Sequence, residues 1–416
     1  MNIQSGTYYW PNTMKEVPTY PSVDEDISCD VLIVGGGSSG AQCAYYLSDT
    51  DLNVVLIEKN MVARGSTATN TSLLQYMGEK RFTDLVHTFG DDYSTRHMQL
   101  CQEAIDEIEA ASIRIPFDSE FTRRDTLYYV SEAEHLNAHM KECEWLQERG
   151  APVEWVSEEW ISNHYSFEKL GGIYSRNDGE INSFIFTHGL LEFAAKQGVR
   201  IFEHTERVGE HQESGLPVVT VNRGHSIRAK HVIYAAGYED MDVKKEKKAR
   251  FVSTYTVTTK PVEAFPGWYG RTLLWETARP YVYIRTTKDN RVIIGGLDED
   301  TSIEEERDSK LLHKRDQLMK ELHARFPELK AEPDYYCAAF YGGTVDGLPI
   351  LGQYNNYPFS YFLMAYGDNG LVYSMMLAKL LKEYLLSGKS DDLTLYDQNR
   401  PLKNKTLYHK KSTLSS

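Results

Sequence analysis

A short apolar run at residues 31–34 (VLIV) stops at GGGSSG, residues 35–40, and gives way to AQCAYYL at 41–47. A continuous run of that length, bounded by glycines, predicts a buried strand; the residues after it predict a helix. A second strand follows at 53–57 (NVVLI). Further along, 188–198 (HGLLEFAAKQG) predicts a helix, 199–203 (VRIFE) a strand, 217–228 a hairpin, and 230–237 (KHVIYAAG) a strand ending at a glycine. From residue 251 the pattern changes to runs rich in Thr, Tyr and Val: FVSTYTVTTKPV, TLLWET, YVYIRTT and RVIIGG. These predict an antiparallel sheet, interrupted by a polar helix over about 303–326. Residues 371–386 are apolar but broken by Ser374, Lys379, Lys382 and Glu383, which predicts a partly buried amphipathic helix.

The chain has 416 residues, enough for two or three domains, and 41% hydrophobic residues with only 14 prolines exclude bulk disorder. Lys plus Arg number 45 against 60 Asp plus Glu, a formal charge of −15 that repels phosphate backbones, so no nucleic-acid partner is expected. Cys29, Cys43, Cys101, Cys143 and Cys337 are widely spaced without a CxxC pair, as expected of reduced thiols in the cytoplasm. The first thirty residues show neither a basic leader nor an apolar stretch, so no signal peptide is expected, and no run reaches the ~18 apolar residues of a membrane span. The basic cluster at 244–248 (KKEKK) reads as a solvated segment and the polar residues 403–416 as a frayed tail.

The strand–turn–helix–strand unit carries the first candidate chemistry. Gly35 permits a tight turn, Gly37 lets backbone approach a pyrophosphate, and Gly40 lets the helix pack close to the sheet. The helix N-terminus at Ser38 and Ser39 offers unpaired N–H groups to phosphate. Glu58, about 20 residues on, is placed to accept hydrogen bonds from a ribose. Tyr281, Tyr283 and Arg285 occupy alternate strand positions and so share one face, which makes them candidates to line a cavity. His135, His139 and Cys143 lie along one helical stripe; with no fourth ligand nearby, the stripe is expected to face solvent rather than hold a metal.

Four separated segments, in order, resemble the FAD-dependent amino acid and amine oxidases, the group of D-amino-acid oxidase, glycine oxidase and sarcosine oxidase. They are the 35–58 unit with the polar loop GSTATNTSLLQY at 65–76, Val208 with VIYAAG at 232–237, GTVDGLPILG at 343–352, and GDNGL at 367–371. The resemblance implies an α/β architecture: a Rossmann-type FAD-binding domain (27–80, 166–240 and 336–400) interleaved with an α+β antiparallel-sheet substrate domain (81–165 and 241–335). An N-terminal extension (1–26) and a tail (401–416) complete the chain. It places Lys59, Ser66, Thr67, Asn70, Thr71, Ser72, Leu74, Val208, Ala236, Gly237, Gly343, Gly367, Asn369, Gly370 and Leu371 at the FAD, beside the glycine-turn residues and Glu58.

The implied reaction is oxidation of the C–N bond of an amine or amino acid to an imine by hydride transfer to flavin N5, with O2 or another acceptor taking the electrons. A same-fold dehydrogenase serving a quinone or carrier protein is the alternative, and a flavin-binding module of an RNA-modification system is a further one. Arginines that hold the substrate carboxylate in glycine oxidase-like members correspond here to Tyr341 and Asp368. Neither makes a bidentate clamp, which favours an amine, or an acid held by another arginine such as Arg285. Asp368 is then a candidate partner for a cationic group. Cys337 stands farther from Asp346 than in members that attach flavin covalently, so non-covalent FAD is expected.

Overall fold

The computed structural model describes residues 2–78, 80–239 and 249–400, and shows a mixed α/β protein built on two sheets. The basic cluster at 244–248 and the tail at 403–416 lie outside the described residues.

The first sheet has eight strands. Its centre is parallel: Ser360–Met364, Ser226–Tyr234, Ile27–Val34, Val54–Ile57 and Arg200–Phe202 lie side by side in that order. Val31, Leu32, Ile33, Val55 and Leu56 are fully buried, because a parallel sheet covered on both faces requires apolar residues on both. The Ser38–Leu47 helix packs between Ser183–Lys196 and Gly370–Ser387. A hairpin of Arg207–Glu213 and Leu216–Val221 extends the Ser226–Tyr234 strand outward.

The second sheet has ten strands. Leu73–Leu74, Gly171–Glu180, Thr122–Tyr129, Leu273–Glu276, Val282–Thr286, Val292–Glu299, Ala249–Thr259, Pro333–Thr344 and Gln4–Gly6 follow one another across it, with Val153–Ser157 also pairing to Gly171–Glu180. All of these pairs are antiparallel except Leu273–Glu276 with Thr122–Tyr129, which run parallel. Helices Glu304–Ser309 and Leu311–Arg325 occupy the expected position of one polar helix; Leu318, Leu322 and Phe326 face the sheet.

The chain crosses between the sheets more often than the resemblance implied. Residues 4–6, expected as part of an extension, pair with Cys337–Ala339 in the large sheet. Gly171–Glu180 and Pro333–Thr344 also belong to that sheet. Conversely, Asp91–Arg114 packs against the Gly370–Ser387 and Ser183–Lys196 helices on the side of the parallel sheet. The helix expected at 188 starts at Ser183, because Asn182 Oδ1 accepts from Ile185 N and supplies a cap.

One expectation is reversed. His139 and Cys143 are 2% and 1% exposed and face the core, not solvent, while His135 at the start of the stripe is half-buried. His139 Nε2 lies 2.9 Å from the Tyr128 carbonyl oxygen, its ring meets Tyr128 edge-on, and burial pulls its pKa down to about 4. The polar residues around it on the Leu136–Glu148 helix concealed which face was inward. Among the described residues, no helix is long and apolar enough to cross a membrane.

Candidate active site

The glycine turn sits where the strand Ile27–Val34 feeds the helix Ser38–Leu47. Gly35 has φ +115°, and a Cβ there would lie 2.5 Å from the Ala235 carbonyl oxygen. A Cβ on Gly40 would come within 1.9 Å of the Gly35 carbonyl oxygen, so only glycine lets helix and turn approach this closely. At Gly37 such a Cβ would meet Thr67 Oγ1 at a tight 3.3 Å, and the residue faces a cavity on its other side. Ser38 N donates to Thr67 Oγ1 at 3.0 Å, fastening the helix start to the loop at 65–72.

That cavity has a volume of about 640 Å³ and runs between the two sheets. One end is lined by Gly35, Gly37, Ser38, Ser39, Glu58, Lys59, Ala236 and Gly237, the middle by Ser66, Thr67, Asn70, Thr71, Gly367 and Gly370. The large sheet closes the other end with Tyr281, Tyr283 and Tyr341, beside Asp368. Glu58 accepts from Gly36 N at 2.8 Å and from Asn60 N at 2.9 Å, and burial raises its pKa. Its carboxylate therefore shapes the turn while retaining lone pairs for a ligand.

The remaining candidates stand outside the cavity wall. Val208 is 60% exposed on the outer hairpin; its neighbour Arg207 lines the cavity instead. Leu74 points into the core, because strand alternation gives the cavity Leu73 and Gln75. Gly40 and Leu371 are packing positions behind the turn and the Gly370–Ser387 helix. Gly343 lies in the Pro333–Thr344 strand without reaching the wall. Asn369 is buried and donates from Nδ2 to the Met77 carbonyl, tying one wall loop to another. Ser72, at φ +60°, is fully buried behind the loop.

Arg285 is the clearest departure from expectation. It is 2% exposed and does not line the cavity. Its Nη1 donates to the carbonyls of Ser72 (2.8 Å), Ile181 (2.9 Å) and Thr71 (3.2 Å), and its Nε to that of Thr286 (2.9 Å). Glu180 Oε2 stands 3.5 Å away, and Arg124 reaches the other oxygen of that carboxylate at 2.9 Å. The guanidinium therefore braces the loop that lines the cavity from behind. Trp10 adds a second brace, donating from Nε1 to the Asn70 carbonyl at 2.6 Å.

Several lining residues carried no usable sequence signal. Asn2, Ile3 and Gln4 arrive by pairing with a strand more than 300 residues away. Gln75, Thr254, Thr256, Trp275 and Asp298 line the wall from separate strands or their ends. Trp275 stacks on Tyr128 with ring centroids 3.7 Å apart. Tyr283 lies across Gly295, where a Cβ would come within 2.5 Å of its hydroxyl, and hydrogen-bonds to Thr254 and Thr71.

The cavity fits a flavin dinucleotide by its own chemistry. The turn at Gly37 and the helix N-terminus at Ser38 suit a pyrophosphate, and Glu58 suits a ribose. Gln75 Nε2 and Trp275 Nε1 are buried donors without partners on residues of the wall, which calls for acceptor atoms such as flavin carbonyl oxygens. Cys337 lies off the wall, 2.9 Å from Thr256 Oγ1, and burial pushes its thiol up to about 11.

Comparison with known proteins agrees with this geometry. The DAO family pattern, FAD dependent oxidoreductase, matches residues 30–384. A putative Rieske 2Fe-2S iron-sulfur protein, YhfW, of Bacillus subtilis (strain 168) is 27% identical over 260 residues, covering 62% of this chain and 50% of the relative, so the chain spans half of that protein's length. Gamma-glutamylputrescine oxidoreductase of Escherichia coli (strain K12) is 20% identical over 393 residues, covering 92% of this chain and 90% of that one. The crystal structure of glycine oxidase from Geobacillus kaustophilus superposes with a TM-score of 0.75 at 19% identity, over 90% of this chain and 99% of that chain, a likeness of fold.

Proposed function

Because this chain belongs to the DAO family of FAD-dependent oxidoreductases, we propose that it oxidises the C–N bond of an amine or amino acid, leaving an imine that water hydrolyses. The observation that carries the reading is a single cavity joining a dinucleotide-type glycine turn to an aromatic wall of the antiparallel sheet.

FAD, when bound, supplies a two-electron acceptor for the hydride of a carbon that bears nitrogen. The chain's residues do the rest. Gly35, Gly37 and the N–H groups at Ser38 and Ser39 would hold the phosphates, and Glu58 the ribose. The braced loop at 65–72 and the start of the Gly370–Ser387 helix would hold the ring system, the helix presenting its positive end to developing negative charge. Trp275, Tyr281, Tyr283 and Tyr341 exclude water from the reacting face and set the width of the substrate end. No side chain needs to act as a strong base when the amine enters neutral. The thiol of Cys337, held protonated, supports non-covalent binding, and five free, buried cysteines support a cytoplasmic setting.

The test is an anaerobic visible spectrum of the flavin-loaded protein before and after primary amines, N-methyl amino acids, and D- and L-amino acids. Bleaching by one of these classes is the expected result, with O2 consumption measured afterwards to identify the acceptor. A protein that takes up no FAD, or whose flavin bands none of these compounds bleaches, overturns the reading.

A further inference from the structure

Among the described residues, the cationic side chains that line the cavity are Lys59, Arg64 and Arg207. Lys59 Nζ lies 2.8 Å from Glu239, and Arg207 donates from Nε to the Tyr234 hydroxyl with Glu210 3.7 Å away. Arg64 differs. It is exposed, it has no carboxylate partner among the described residues, and its guanidinium lies over the Phe184 ring, 5.3 Å from the centroid.

The backbone that carries Arg64 is pinned to the glycine turn. Val62 N donates to Glu203 at 2.7 Å, Ala63 N to the Gly36 carbonyl at 3.0 Å, and the Arg64 carbonyl accepts from Gln4 Nε2 at 2.8 Å. Thr67 then joins two helix starts: its Oγ1 accepts from Ser38 N and its carbonyl from Ser183 Oγ, each at 3.0 Å.

This is an unfavourable place for a lone cation. The Ser38–Leu47 and Ser183–Lys196 helices both begin here with their positive ends, and neither has an acid in its first turn. Glu58 and Glu203 are engaged by the backbone N–H groups of Gly36, Asn60, Val62 and Tyr20. His188, one turn beyond Phe184, is 1% exposed, and burial, with Arg64 beside it, pulls its pKa down to about 4. Two helix N-termini and an unpaired guanidinium together suit a doubly charged anion, because the backbone groups offer only partial charges and the arginine a full one.

We propose that Arg64 is a binding residue for the diphosphate of FAD, supplying the full positive charge that the glycine turn and the two helix N-termini lack. This rests on FAD occupying the cavity and is independent of which substrate is oxidised.

The experiment is a flavin-fluorescence titration of the apoprotein with FAD at low and high NaCl, with Arg64→Gln and Arg64→Lys beside the wild type. At low salt Arg64→Gln is expected to bind FAD at least tenfold more weakly, and Arg64→Lys to stay within threefold of wild type. Salt shortens the reach of exposed charges from about 10 Å at 0.1 M to about 3 Å at 1 M, so the gap between Gln variant and wild type should shrink to threefold or less in 1 M NaCl. The Tm of the apoprotein should not fall in Arg64→Gln, since the substitution removes a cation from beside two positive helix ends. FAD affinity of the Gln variant within twofold of wild type at low salt overturns the proposal. A loss that high salt does not narrow, that Arg64→Lys shares in full, or that comes with a lower apoprotein Tm also overturns it, and assigns the residue to support of the loop. Wild-type apoprotein that takes up no FAD overturns the cofactor reading itself, and this proposal with it.

Discussion

Replacing Arg285 with leucine removes a buried guanidinium that satisfies four carbonyl oxygens and faces Glu180. Breaking a buried ion pair by deleting one partner costs about 3–5 kcal/mol, since the orphaned charge and acceptors stay buried. Unfolding entropies of ~2.1 cal/mol/K per residue make 1 kcal/mol worth about 1 °C in a chain of 416 residues, so the Tm is expected to fall by about 3–5 °C. Because the released carbonyls belong to the loop that lines the cavity, FAD binding should weaken by about tenfold, or ~1.4 kcal/mol. Thermal unfolding by circular dichroism gives the first quantity, and flavin-fluorescence titration of the apoprotein gives the second. With saturating FAD, the ratio of kcat/KM between amine and amino acid substrates should not move. An unchanged Tm and FAD affinity, together with a tenfold KM rise confined to one substrate class, would refute the bracing role and place the guanidinium on the substrate.

Gly40→Ala puts a methyl group 1.9 Å from the Gly35 carbonyl oxygen, so the helix must back away from the turn. About 1–3 kcal/mol of stability and most of the retained flavin should be lost on gel filtration, and wild-type retention would contradict the close-packing argument. Asp178 accepts hydrogen bonds from Tyr76 N, Thr126 and Ser175, yet burial raises its pKa to about 7. The native state then binds the proton more tightly than the unfolded chain, so this group's contribution to stability falls as pH rises from about 4 to 7. Asp178→Asn should flatten denaturation midpoints across that window, and an unaltered slope counts against the assignment. Val208→Asp, at a 60% exposed site, should leave FAD affinity within twofold of wild type by the same fluorescence titration.

Sequence alone determined whatever depends on near neighbours. Within the turn at 35–40, Gly40 needs to be glycine for a contact with the Gly35 carbonyl of the same unit, so strand, helix and following acid were legible together, whereas the Ala235 carbonyl that bars a side chain at Gly35 comes from a distant strand. Strand alternation likewise placed Tyr281 and Tyr283 on one face, and both line the cavity. The tertiary structure decided what depends on which surfaces meet. Arg285 shares the tyrosines' side of the strand, but the loop at 71–72 and residue 181 occupy the space in front of it, so its donors go to carbonyls. Val208 and Arg207 are adjacent on one hairpin, where the pairing skips Val208 at an irregularity opposite Thr220 and Val221, and the first is exposed while the second lines the cavity. His139 looked polar on a polar helix until the Tyr128 carbonyl gave it a buried partner. Gln75, Trp275 and Asp298 share a wall because strands distant in sequence pair into one sheet, and the hydrogen-bond register that aligns them is a property of the folded chain.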